Sequence, residues 1–105
     1  MSQPFSIEYA PEALEHLAQI EKKYYSLIES SIFEQLSAQP ELQTRNRKPL
    51  RQPSSFGAAW ECRFGPRNRF RVLYTVDRDT MIVRIAAIGE KLRNRLLFGG
   101  EEFQP

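Results

Sequence analysis

The stretch WECRFGPRNRFRVLYTVD, residues 60–77, decides how this chain folds. Trp60, Cys62 and Phe64 alternate with Glu61 and Arg63; Phe70, Val72, Tyr74 and Val76 then alternate with Arg69, Arg71, Leu73 and Thr75. Side chains two apart on a strand share a face, so this period of two predicts two strands, each with an apolar and a polar side. Gly65-Pro66-Arg67-Asn68 between them is turn chemistry and makes the pair a hairpin. Asp77-Arg78-Asp79 supplies the next turn. The nearly continuous apolar run over 81–88, broken by Arg84 and ended by Gly89, predicts a central strand covered on both faces. Together these segments form an antiparallel three-strand meander.

Working outward, Phe5, Ile7 and Tyr9 alternate with Ser6 and Glu8 and predict a short strand ended by Ala10-Pro11. Pro11 suits the first position of a helix, where Glu12 and Glu15 favour the helix dipole. Leu14, Leu17 and Ala18, then Tyr24 or Tyr25, Ile28, Ile32 and Leu36, recur at spacings of three and four, an amphipathic helical stripe. The polar Glu21-Lys22-Lys23 bends it, giving helices over 11–21 and 24–38, and Pro40 stops the second. Residues 41–59 hold Pro49, Pro53, Ser54-Ser55 and Gly57 without any period, so they read as a long loop of the functional kind. Past Gly89, residues 91–98 predict a short basic helix, with Gly99-Gly100 and the acidic tail frayed. The expected fold is α+β, one domain over 1–105. It has an N-terminal strand, a two-helix hairpin packed on a mainly antiparallel sheet (the three-strand meander) and a short C-terminal helix.

The composition suits one such core. Of 105 residues, 41% are hydrophobic and 27% charged, inside the globular range. The single cysteine, Cys62, excludes an internal disulfide, and with His16 as the lone histidine no metal-ligand cluster can form, so neither metal nor cofactor is expected. Cys62 shares its face with Trp60 and reads as a buried thiol, Tyr74 as core, and His16 as a surface or helix-boundary residue. No run approaches the roughly 18 apolar residues of a membrane span, so a cytoplasmic protein without a membrane partner is the expectation.

The formal net charge of +2 is a cancellation. Residues 1–43 carry two basic against seven acidic side chains, residues 44–71 carry eight basic against Glu61 alone, and residues 72–105 balance at five each. Seven of the central eight are arginine, whose planar fork suits bidentate contact with phosphate. Alternation points Arg63, Arg69 and Arg71 away from the helices. Lys48 and Arg51 enter from the preceding loop, and Lys91, Arg93 and Arg95 follow the last strand, so three segments converge on one concave, polyanion-binding patch that also takes in Arg67. Glu61 beside Arg63 reads as an ion pair first and as a possible general base second.

These residues carry a resemblance. Pro49-Leu50-Arg51, Trp60-Glu61-Cys62-Arg63-Phe64, Phe70-Arg71-Val72-Leu73-Tyr74-Thr75-Val76-Asp77 and Ile88-Gly89-Glu90-Lys91, with the opening Phe5-Ser6-Ile7-Glu8-Tyr9, resemble the RelE/ParE superfamily of toxins from type II toxin–antitoxin modules. The likeness spans about residues 4–97. It implies a small cytoplasmic protein neutralised by a cognate antitoxin. In the RelE branch it implies ribosome-dependent mRNA cleavage; in the ParE branch it implies non-enzymatic inhibition of DNA gyrase. A relic that only binds its antitoxin is a further possibility.

Carried over residue by residue, the resemblance assigns catalytic roles to Arg63, Arg71 and Lys91. The ribose 2′-hydroxyl would attack the adjacent phosphate without a metal. Arg63 and Arg71 would stabilise the phosphoryl charge, Lys91 would neutralise or protonate the leaving oxygen, and Glu61 would be the available base. Lys48, Arg51, Arg67, Arg69, Arg93 and Arg95 would hold RNA. The sequence departs from the RelE branch at Glu61, where that branch tends to be basic, and at Leu97 and Phe98, where it often has a tyrosine. The expected reading is a RelE-like mRNA endonuclease acting with ribosome and mRNA, with the gyrase inhibitor as the alternative.

Overall fold

The computed structural model describes residues 3–51 and 56–102. Along the chain run β1 (Ser6–Tyr9), α1 (Pro11–Ala18), a 3₁₀ turn (Lys22–Tyr24), α2 (Tyr25–Leu36), β2 (Arg47–Pro49), β3 (Trp60–Phe64), β4 (Phe70–Asp77), β5 (Ile82–Leu92), β6 (Arg95–Phe98) and β7 (Glu101–Glu102). Pro11 opens α1, where its missing N–H would be unpaired in any residue. The α+β fold expected from the sequence is present: an N-terminal strand, a helical hairpin and a mostly antiparallel sheet. The helices are shorter than the stripe suggested, because the chain breaks into the 3₁₀ turn at the polar bend.

The sheet order is β2-β3-β4-β5-β6-β7, and β1 pairs parallel with β5. The β3–β4 hairpin has the register its alternation requires: Cys62 faces Val72 and Arg63 faces Arg71. β5 is the central strand. β4 lies along one edge of it; the other edge is shared by β1, on residues 82–85, and β6, on residues 89–92. At the β4–β5 turn the Asp77 carboxylate accepts the Asp79 and Thr80 amide hydrogens at 3.0 and 3.2 Å, tying the reversal locally.

Two apolar clusters hold the sheet. On the helix side, Ala13, Ile28, Ile32 and Leu36 pack on Cys62, Phe70, Val72, Tyr74, Val83, Ile85 and Ile88. Tyr74 is core, as expected, and its buried hydroxyl donates to the Pro40 carbonyl at 2.6 Å. The opposite side is not an open arginine face throughout: Ala58, Leu73, Ala87 and Phe98 form a second cluster with Leu50, Phe56 and Leu96. The α1 stripe is also rotated from its predicted phase. Ala13, His16 and Ile20 are buried, whereas Leu14 is 52% exposed.

Three expectations for the connections are corrected. Residues 91–98 form no helix; β5 runs on to Leu92 and turns back into β6 through Arg93 and Asn94, both at positive φ. Left-handed backbone at two successive residues suits a two-residue hairpin and cannot continue a right-handed helix. Gly99 and Gly100, at φ 63° and 83°, make a further turn that pairs Glu101 and Glu102 with β6, so this part is a strand rather than a frayed end. The long loop contains β2, which extends the sheet beyond the meander. Residues 52–55 of that loop, and 103–105 of the tail, lie outside the described residues.

Candidate functional site

On the side of the sheet away from the helices, pairing lines up two rows. One is Lys48, Glu61, Leu73 and Ala87; the other is Arg63, Arg71, Gly89 and Phe98. Arg63 and Arg71 are direct cross-strand partners, a like-charge pairing that is unfavourable unless something offsets it. Glu61 does so. Its buried carboxylate accepts the Arg63 Nε hydrogen at 2.6 Å and lies 3.7 Å from Arg71 Nε. The ion pair expected at Glu61 is therefore present and embraces both arginines. Burial pushes the Arg71 pKa down; Glu61 opposes that shift and Arg63 adds to it. The buried Arg71 Nε–H has no hydrogen-bond partner. Beside this cluster, a concavity of about 360 Å³ is lined by Gln43, Lys48, Pro49, Leu50, Arg51 and Glu61.

A second basic concavity lies at the end of the sheet where β3 turns into β4 and β5 into β6. It measures about 320 Å³ and is lined by Pro66, Arg67, Arg69, Lys91, Arg93 and Asn94. Lys91, assigned to the catalytic set with Arg63 and Arg71, belongs to this lining; the β5 residue paired with Arg71 is Gly89. The basic residues thus form two groups rather than one patch. Arg95 is exposed at the start of β6 and lines neither concavity.

Arg69 does not share a face with Arg71. It sits in right-handed helical conformation at the end of a tight turn (Pro66–Asn68), one residue before β4, so strand alternation does not reach it. Its guanidinium turns to the helix side, bonds the Glu90 carboxylate at 2.7 Å and lies 4.6 Å from the centre of the Tyr24 ring. Arg47 is similarly diverted. It donates to the Gln35 carbonyl at 2.8 Å, in the last turn of α2, and to the Gln39 carbonyl just beyond the helix, satisfying a helix-end oxygen that no further helical turn can reach.

The remaining candidate groups are structural. The Cys62 thiol is buried, which pushes its pKa up to about 11 and keeps it protonated. His16 is buried instead of lying on the surface. Its Nδ1 accepts the Ile88 N–H at 3.2 Å, in the gap that β1 and β6 leave on the edge of β5. Phe56 and Phe98 pack edge-on against its ring, at centroid distances of 5.3 and 5.8 Å. The α1 periodicity carried this signal, because His16 lies three residues from Ala13 and four from Ile20 on one helix face. Among the described residues no three His, Cys, Asp or Glu side chains are placed to hold a metal ion, and no helix is long and apolar enough to cross a membrane.

No curated protein matches the sequence. The fold is similar to a chain of the RelBE2 toxin–antitoxin complex from Mycobacterium tuberculosis, with a TM-score of 0.68 at 23% identity, covering 84% of this chain and 99% of that one. The family model described as the ParE toxin of the type II toxin–antitoxin system, parDE, matches residues 7–95. This span takes in most of β1, both helices and the whole β3–β5 meander, and the chain therefore belongs to the ParE family of type II toxin–antitoxin toxins, within the RelE/ParE superfamily.

Proposed function

We propose that this toxin acts by binding a protein target, DNA gyrase, rather than by cutting mRNA, and that a cognate antitoxin neutralises it. One observation carries the choice: the Glu61 carboxylate is buried and engaged by Arg63 and Arg71. A general base must be within reach of the proton it abstracts. Glu61 Oε1 is held by both arginines, His16 is buried with Nδ1 engaged, and Lys91 lines the other concavity, so among the described residues no acid–base pair converges on the Arg63–Arg71 face. The ParE family match and the likeness to a chain from a toxin–antitoxin complex support the toxin role and the antitoxin partner.

The test titrates purified protein into two reactions, gyrase supercoiling of relaxed plasmid and translation of a defined mRNA with its ends mapped. Loss of supercoiling with intact mRNA is the expected result. Cleaved mRNA with normal supercoiling overturns the proposal, and so does inactivity in both by a protein that still binds its antitoxin, which is the behaviour of a relic.

The endonuclease reading retains one favourable observation. The paired guanidinium groups of Arg63 and Arg71 would suit a phosphoryl group carrying developing charge, with Lys48 and Arg51 beside them to hold RNA. It requires cleavage that is abolished in Arg71→Ala.

A further inference from the structure

The tripeptide Arg-Asn-Arg occurs three times, at residues 45–47, 67–69 and 93–95. Register places all three at one end of the sheet: the first leads into β2, the second into β4, and the third joins β5 to β6. Arg47 of the first copy is committed to the end of α2. The other two copies share a backbone conformation. Arg67 and Asn68 have φ of 54° and 55°, and Arg93 and Asn94 have φ of 48° and 69°.

Turns with two successive positive φ angles favour glycine and asparagine; a long side chain such as arginine is strained there. Here arginine occupies the first strained position in both turns, and both arginines line the same 320 Å³ concavity with Arg69 and Lys91. The Lys91 N–H donates to the Arg69 carbonyl at 2.7 Å, which ties the two turns together. Among the described residues only Arg69 of these four cations has a carboxylate partner, Glu90; Arg67, Lys91 and Arg93 have none. Strained backbone that persists where a glycine would relieve it marks a place where the side chain is needed.

We propose that this two-turn cradle binds phosphate groups of a nucleic-acid backbone, at a site separate from the Arg63–Arg71 face. Forked guanidinium groups match phosphate oxygens in pairs. The only apolar residue in the lining is Pro66, so an acidic protein segment, which needs apolar anchors between its charges, finds little to hold. The lining has no aromatic platform for a base and its cations match the backbone phosphates, so binding is largely indifferent to sequence and dependent on salt. The proposal goes beyond the choice of protein target: it adds a polynucleotide contact whichever target is correct.

The test measures fluorescence anisotropy of a short labelled DNA oligonucleotide of mixed sequence with the full chain across a salt series. In the double variant Arg67→Gly/Arg93→Gly, affinity should fall about tenfold or more, and the slope of log affinity against log salt should shrink by about 2. Glycine relieves both turns, so the thermal midpoint should hold or rise, and a loss of binding cannot be a loss of fold. Arg78→Ala/Arg84→Ala removes the same charge outside the cradle, from the β4–β5 turn and from β5, and should change affinity less than about twofold. Unchanged affinity in the glycine variant, or an equal loss in the alanine variant, overturns the proposal. So does competition by a polyglutamate peptide as effective as that by unlabelled oligonucleotide, which would make the cradle a protein-docking surface.

Discussion

The middle of the sheet and its turn end are both rich in arginine, yet they handle charge in opposite ways. In the middle, Arg63 and Arg71 face one another across β3 and β4, partly or largely withdrawn from water, with one buried carboxylate between them. At the turn end, Arg67, Lys91 and Arg93 are exposed, without carboxylate partners among the described residues, and two of the three sit on strained backbone. A charge taken out of water must find its counter-charge within the protein, because the desolvation cost has no other compensation. The middle group obeys that rule and so contributes to the fold. The turn group has no such constraint, and its strain is a cost that the fold itself does not require.

The largest test of this contrast is Glu61→Gln, which keeps the shape and removes the negative charge. It leaves two opposed arginines without their counter-charge and should cost about 2–3 kcal/mol in urea unfolding, less than a fully buried pair because Arg63 reaches water. An unchanged midpoint would mean that the middle group is not structural and would dissolve the contrast. Next in size is Gly89→Ala, in the same row as Arg63 and Arg71. A methyl group there would meet the Phe98 ring at 2.7 Å and Leu96 at 3.1 Å, and the overpacking should cost about 2 kcal/mol by the same measurement.

Much of the middle region was legible in the sequence, for a physical reason. Where one face is buried, a strand must alternate, and residues 60–77 therefore declare which side chains share a face, Arg63 and Arg71 among them, while their direct pairing is seen only in the structure. The turn end declared little. Leu92-Arg93-Asn94-Arg95 contains good helix formers and lacks the glycine that usually marks a tight hairpin, so local preference pointed to a helix where pairing with β5 won. Arg69 was misplaced because alternation was extended one residue past the strand into the turn before it. Arg47 entered only as one of the eight central basic residues, since nothing in its neighbourhood names the carbonyls 8 and 12 residues earlier in the chain that it bonds. The single patch expected from the charge run separated into two for these reasons.

His16 extends the contrast to a titratable group, since it too is a buried polar side chain with its partner inside the protein. Burial pushes its pKa below 6.5, against the opposing pull of Glu12 and Glu15. In the unfolded chain the ring takes its proton near pH 6.5, whereas in the folded protein it does so only at lower pH. Between those two points the unfolded state binds more protons, so this contribution to stability is complete above pH 6.5 and declines as pH falls through the folded value. Urea midpoints measured from pH 7.5 to 5 should fall in the native protein and stay flatter in His16→Gln. Parallel curves would remove His16 from the group of polar residues that hold the fold.

The smallest expected effect discriminates best because its sign is reversed. If the turn-end arginines contributed to stability as Glu61 and His16 do, Arg67→Gly/Arg93→Gly would destabilise the protein. With φ of 54° and 48° at these positions, glycine instead removes a strain that arginine bears in the folded state, offset by the greater freedom it gives the unfolded chain. The net change should lie between zero and about 1 kcal/mol of added stability, read from the same urea curves with an unchanged slope. A loss as large as that of Glu61→Gln would place the turn end on the same footing as the middle of the sheet, with arginines there to fold the chain. A small gain would leave them as side chains held in place for a contact outside it.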